Sequence, residues 1–231
     1  MNPSTLLDPL HDAELDGLDF ARTAFRLFDE VYNLADDGNT LRQRKGDVGR
    51  LVEEVLPIAR YLLSNYGAGQ YIRVRWMRGS QQFDATVTAH GARIDHQVWP
   101  TEGALEVTTA LHPNSYLMRE LLNAKGGCFG LDGLSRLKDS DGSKAVSSVP
   151  TSHTNSDFVA DMAGIVISAV RAKIAKRYPP GTTLIVSVEL NNAYSPQEWE
   201  QLLRLVREER MEHSFRQVFL SADQGVYTAN L

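Results

Sequence analysis

The sequence predicts an α/β fold, with a mixed central sheet, part β-meander and part crossover, flanked by helices. Three observations carry this. Apolar residues recur at helical spacing over roughly 12–66. Period-two alternation then takes over through about 71–111. Beyond that, helical and strand patterns alternate to the end of the chain, as crossover connections require.

The elements follow in order. Leu15, Leu18, Ala21, Phe25, Phe28, Val31 and Tyr32 form one stripe and predict an amphipathic helix over about 12–35. Gly38 and Asn39 break it. Val48, Leu51, Val52, Val55, Leu56, Ala59, Leu62 and Leu63 predict a second helix over 47–66, kinked at Pro57 and closed by Gly67. "QYIRVRWMRG" and "QQFDATVTAHG" alternate and read as two strands, with "ARIDHQVW" extending their hairpin; "ALEVTTAL" is the third. A short helix, "NSYLMRELLNAK", ends at Gly126 and Gly127. The Gly-, Ser- and Asp-rich stretch 126–155 is expected to be a long mobile loop, suited to a lid. Asp157 is placed to cap a helix over 158–178. "TTLIVSVEL" is a near-continuous apolar run, the pattern of a strand buried on both faces. Ser195, Pro196 and Glu198 form a capping box for a helix to about 211, and "FRQVFLSA" and "GVYTANL" supply the last strands. Residues 1–46 thus read as an N-terminal helical extension and 47–231 as the α/β domain. The helix of the extension is a candidate homodimer element.

Composition narrows the function classes. The net charge is −5, from 24 Lys+Arg against 29 Asp+Glu, so no global basic field points to nonspecific nucleic-acid binding. A local basic patch remains compatible with that balance. Cys128 is the single cysteine, so neither an intrachain disulfide nor a cysteine zinc site can form. No stretch reaches the length of an apolar span, and the N-terminus lacks a basic start followed by an apolar run. A cytoplasmic protein with no membrane partner is the expectation.

One strand poses a chemical problem. In "GALEVTTALHP", Glu106 sits among apolar residues, where a carboxylate costs free energy unless it is paired or ligates a cation. Strand parity puts Glu106 and Thr108 on one face, and Asp84 on the preceding main strand can converge with them. Two converging carboxylates need a proton or a cation between them. An all-oxygen set suits Mg²⁺ or Mn²⁺, which polarises a phosphodiester and acidifies a bound water. Pairing of Glu106 with Arg73 or Arg75 across the sheet explains the same residue without a metal.

The order helix–β–β–β–helix–β, with Asp84 in "FDA" and Glu106 in "LEVT", resembles the PD-(D/E)XK superfamily, the restriction-endonuclease-like nucleases. The resemblance covers roughly 47–190. It implies a restriction-endonuclease-like core in which Asp84 and Glu106 bind Mg²⁺ or Mn²⁺ and cleave DNA or RNA phosphodiesters. Two positions depart from the pattern: Thr108 stands where the family has its water-activating lysine, and Phe83 where it has proline. The threonine hydroxyl can orient water but brings no charge. Lys173 and Lys176 on the following helix, or Lys125, are the candidate replacements. The family often adds an acidic residue on its first core helix; by helical phase Glu53 is the nearer candidate and Glu54 points away. Arg73, Arg75, Lys45 and Lys173 are the candidate phosphate-binding cations, Lys45 lying in the basic stretch "LRQRKGDVGR". A catalytically inactive nuclease fold that binds nucleic acid or protein is the alternative, favoured by the missing lysine. Of the histidines, His112 ends the Glu106 strand and His96 adjoins Asp95 as an acid–base pair; no two have short metal-ligand spacing.

Overall fold

The structure is a computed structural model that describes residues 5–79, 81–94, 101–138, 144–223 and 225–231. Among these residues, seven strands form one mixed sheet in the order β1-β2-β3-β4-β7-β8-β9. β1 (Glu14–Asp16), β2 (Tyr71–Trp76), β3 (Ala85–His90) and β4 (Glu102–Ala110) are antiparallel neighbours. β4 then runs parallel to β7 (Thr183–Val188), and β7 parallel to β8 (Gln217–Ala222); β9 (Thr228–Asn230) closes the edge antiparallel. The meander-plus-crossover sheet expected from the period change is present.

Two apolar cores cover the two faces. On one, α1 (Gly17–Tyr32) and α4 (Leu56–Asn65) bury Phe20, Leu27, Ile58 and Leu62 against Val74, Trp76, Leu105, Val107, Ile185 and Phe219. On the other, α6 (Asn155–Ile174) and α7 (Pro196–Glu208) bury Met162, Val166, Trp199 and Leu202 against Leu184, Val186, Val188, Val218 and Leu220. β7 is buried at every position, as its unbroken apolar run requires. Ser195 caps α7 and Glu198 returns to the Ser195 N–H, the expected capping box. For α6 the cap is Thr154, and Asp157 serves as its reciprocal third residue.

Three expectations are revised, and a fourth falls outside the described residues. The N-terminal segment is not an appendage: β1 pairs with β2, and the apolar face of α1 is buried in the main core. That buried face removes the ground for self-association through this helix. The stretch 126–155 contains a separate hairpin, β5 (Leu134–Lys138) with β6 (Lys144–Ser148), which packs on α5 (Ser115–Lys125). Two short polar strands, "LSRLK" and "KAVSS", carry too little periodicity to stand out from a Ser- and Asp-rich background. The second helix is segmented into α3 (Asp47–Arg50), a π-helical turn (Leu51–Val55) and α4, following the short α2 (Asn39–Gln43). In the π turn the Leu56 N–H reaches back five residues to Leu51 O, which adds one residue to that turn and rotates what precedes it. Finally, most of the "ARIDHQVW" extension and the Asp95–His96 pair lie outside the described residues.

Candidate functional site: a carboxylate cluster at the end of β3

Asp84 directly precedes β3. Its N–H donates to Leu105 O at 2.9 Å and its C=O accepts from Met77 N–H at 3.0 Å. The register Ala85↔Leu105 therefore carries Asp84 alongside Glu106. Here β3 has not yet begun, and the Asp84 carboxylate fills the place of the ladder acceptor: Oδ2 accepts from Val107 N–H at 2.7 Å. Asp84 is thus fixed by the β4 backbone rather than free to turn to solvent.

Glu106 projects toward α6 and is only 8% exposed. Lys173, in the last turn of α6, places Nζ 2.5 Å from Glu106 Oε1, and the Tyr178 hydroxyl donates to the same oxygen at 3.2 Å. Arg73 and Arg75 do not supply this pairing. They bind Glu14 and Asp12 at 3.2 and 2.8 Å on the exposed edge. Thr108 lies half-buried one alternation further along the same face of β4.

The third carboxylate is Glu54. It sits in the π-helical turn, within electrostatic reach of Asp84. The Trp76 indole N–H approaches it without forming a hydrogen bond of normal geometry. Glu53 turns elsewhere, to Arg44 at 3.4 Å and Arg119 at 4.0 Å. Those arginines also hold Glu189, Arg119 through both carboxylate oxygens at 3.2 and 2.9 Å. The expected roles of Glu53 and Glu54 are therefore exchanged. A phase of 3.6 residues per turn favours Glu53, and the inserted π residue shifts that phase by about one position.

Crowding of these acids shows in their protonation. Burial first, then the neighbouring Asp84 charge, pushes Glu54 up to about 7, with Arg50 pulling the other way. Burial pushes Asp84 up to about 6; the Val107 N–H opposes this, and the Glu106 charge adds to it. Tyr178 is also pushed up, by burial and by Glu106. Asp84 and Glu106 thus share the Lys173 ammonium, while Glu54 faces Asp84 from its other side, with Arg50 near both Glu54 and Asp84.

The remaining basic candidates divide. Of the stretch before α3, Arg44 is taken up by Glu53 and Glu189, while Lys45 is exposed in the turn and forms no ion pair among the described residues. Arg73 and Arg75 instead line a cleft of about 470 Å³ with Phe83, Thr86, Thr88 and Pro179. Phe83 adjoins Asp84 and Pro179 adjoins Tyr178, so this cleft opens beside the carboxylates.

Comparisons with protein-family models, with curated proteins and with solved structures gave no match. The reading of the site therefore rests on its own chemistry. Lys173 was among the expected replacements for the missing strand lysine, and it alone of the three candidates reaches Glu106. Tyr178 had no signal as a site residue: the apolar pattern extends the helix to 178, whereas α6 ends at Ile174 and Tyr178 follows it in an irregular segment. No helix among the described residues is long and apolar enough to cross a membrane.

Proposed function

We propose that this protein is a metal-dependent, nuclease-like phosphodiester hydrolase acting on DNA or RNA. The observation that carries the reading is the meeting of Asp84, Glu106 and Lys173 in one cluster, with Glu54 across from Asp84. The element order α4–β2–β3–β4–α6–β7, with α5 and its hairpin inserted before α6, supports a restriction-endonuclease-like core. A reducing cytoplasm suits the single thiol.

The donor set fits Mg²⁺ or Mn²⁺: carboxylate oxygens only, two of them on acids whose proton affinity is raised chiefly by burial and further by a neighbouring carboxylate. Asp84 and Glu106 would hold the ion, with Glu54 as the additional ligand. When bound, it would supply Lewis-acid polarisation of the phosphoryl group and a more acidic water. Asp84 is pre-oriented by the Val107 N–H, so little ordering is left for binding. Lys173 takes the role of the lysine that Thr108 replaces, reaching from α6 to place an ammonium beside Glu106 and the attacking water; Thr108 adds a hydroxyl on the same face. Arg73 and Arg75 line the adjoining cleft for the phosphate backbone. Their exposed pairs with Glu14 and Asp12 are weak enough to exchange for phosphate.

One observation favours a second reading. Glu106 is already neutralised by Lys173 and hydrogen-bonded by Tyr178, which suits a nuclease scaffold that binds without cutting. Incubation with single- and double-stranded DNA and RNA in Mn²⁺ or Mg²⁺ separates the two. We expect cation-dependent cleavage that falls at least about 10²-fold in Asp84→Asn and Glu106→Gln. Retained binding with no cleavage in wild type would select the scaffold; neither binding nor cleavage would contradict both.

A further inference from the structure

We propose a second, separate metal site for a first-row transition-metal dication such as Zn²⁺, built by Asp132, His153 and Asp161 and oriented by His112. One ligand atom from each of the three lies within 4.8 Å of the others. They come from three places: the turn before β5, the residue before the α6 cap, and the second turn of α6. Asp161 and Lys173 are separated along α6 by about 18 Å at the helical rise, so this site is distinct from the Asp84–Glu106 cluster.

The hydrogen bonding around Asp132 is that of a prepared ligand. His112 Nδ1 accepts the Asn114 N–H at 3.1 Å, which leaves its proton on Nε2. That Nε2–H donates to Asp132 Oδ1 at 3.0 Å. Oδ1 is thereby held, and Oδ2 faces His153 Nε2 at 3.1 Å. Yet His153 Nε2 is buried and makes no hydrogen bond of acceptable geometry. A nitrogen lone pair and a carboxylate oxygen that close repel each other unless a proton or a metal cation lies between them, and the absence of acceptable hydrogen-bond geometry at 3.1 Å favours the metal cation. A ligating carboxylate is normally itself held by a hydrogen bond, as His112 holds Asp132 here.

The donor chemistry sets the class of ion. One imidazole with two carboxylates suits Zn²⁺ or its neighbours over Mg²⁺ and Ca²⁺, which prefer oxygen alone. Three protein ligands leave a coordination position open, and the site borders a cleft of about 680 Å³ lined by His112, Asp132, Asp161 and Ser168.

Calorimetric titration of the chelator-stripped full chain with Zn²⁺, and absorption titration with Co²⁺, tests this. We expect one equivalent bound in Asp84→Asn, which disables the Asp84–Glu106 cluster, and at most one more in wild type; the variants that follow are made in the Asp84→Asn background. Affinity should fall more than about tenfold in His153→Ala and in Asp161→Asn, and about 10- to 100-fold in His112→Gln. Asp161 is exposed, so its near-isosteric Asn variant should keep the metal-free melting temperature of the Asp84→Asn parent and carries the test if His153→Ala does not fold. No bound equivalent in Asp84→Asn would overturn the proposal. So would an equivalent that persists in a folded Asp161→Asn.

Discussion

Lys173→Met is expected to lower the stability of the metal-free protein by about 3 kcal/mol, because it leaves the Glu106 carboxylate buried without its ammonium. For a chain of this size that is a fall of roughly 6–12 °C in melting temperature. The Tyr178 hydroxyl remains but cannot balance a full charge. Two companion results follow from the same cause. Adding Glu106→Gln to Lys173→Met should recover most of the loss, since removing both partners leaves no uncompensated charge. Mg²⁺ or Mn²⁺ should stabilise Lys173→Met more than wild type, because the cation no longer competes with the ammonium. Cleavage should fall at least about 10²-fold if, as proposed, Lys173 places its charge beside the reacting water. Thermal melts of the three proteins with and without cation check the stabilities, and a nuclease assay of each checks the cleavage. An unchanged melting temperature in Lys173→Met would mean the ion pair holds nothing together.

The second large effect is on pH dependence. Glu54 and Asp84 have folded-state proton affinities raised from 4.5 to about 7 and from 3.8 to about 6. An acid whose affinity is raised on folding holds its proton where the unfolded chain has released it. Its contribution is therefore fully present below the unfolded value and is lost as pH rises through the folded one. Without cation, stability should decline from about pH 4 to pH 7 on account of these two groups. Glu54→Gln should remove the upper part of that slope. The variant should match wild type near pH 4 and exceed it at pH 8 by about 1–2 kcal/mol, less than the full linkage value because Glu54 keeps part of its solvent. Protons and the cation compete for the same oxygens, so Mn²⁺ affinity should rise between pH 6 and 8. Urea denaturation across pH and calorimetry at three pH values measure both. A wild-type protein whose stability is flat from pH 4 to 8 would contradict the crowded-acid picture.

How much of this was legible follows from what each signal depends on. The fold class rested on apolar periodicity, and burial on each sheet face follows that period: Ile72, Val74 and Trp76 turn inward while Tyr71, Arg73 and Arg75 turn out. Asp84 and Glu106 were legible as neighbours, because parity and hairpin pairing are short-range rules. Which acid of the Glu53–Glu54 pair faces the site was not. That depends on a π turn, whose single extra residue leaves no mark in composition. Arg73 and Arg75 shared a strand face with the expected site, but their partners Asp12 and Glu14 come from a segment read as helix. The Asp132, His153 and Asp161 group was invisible for a related reason. Its members are brought together by a hairpin and a helix entry, and no short spacing in the sequence records that.

The central claim is a cation held by Asp84 and Glu106. Crystals grown in Mn²⁺ and measured at the manganese absorption edge test it most directly. We predict an anomalous peak within about 2.3 Å of carboxylate oxygens from both residues, with Lys173 displaced from Glu106. No peak there, with Lys173 still paired to Glu106 at millimolar Mn²⁺, would contradict it and leave Glu106 as the buried half of a structural ion pair.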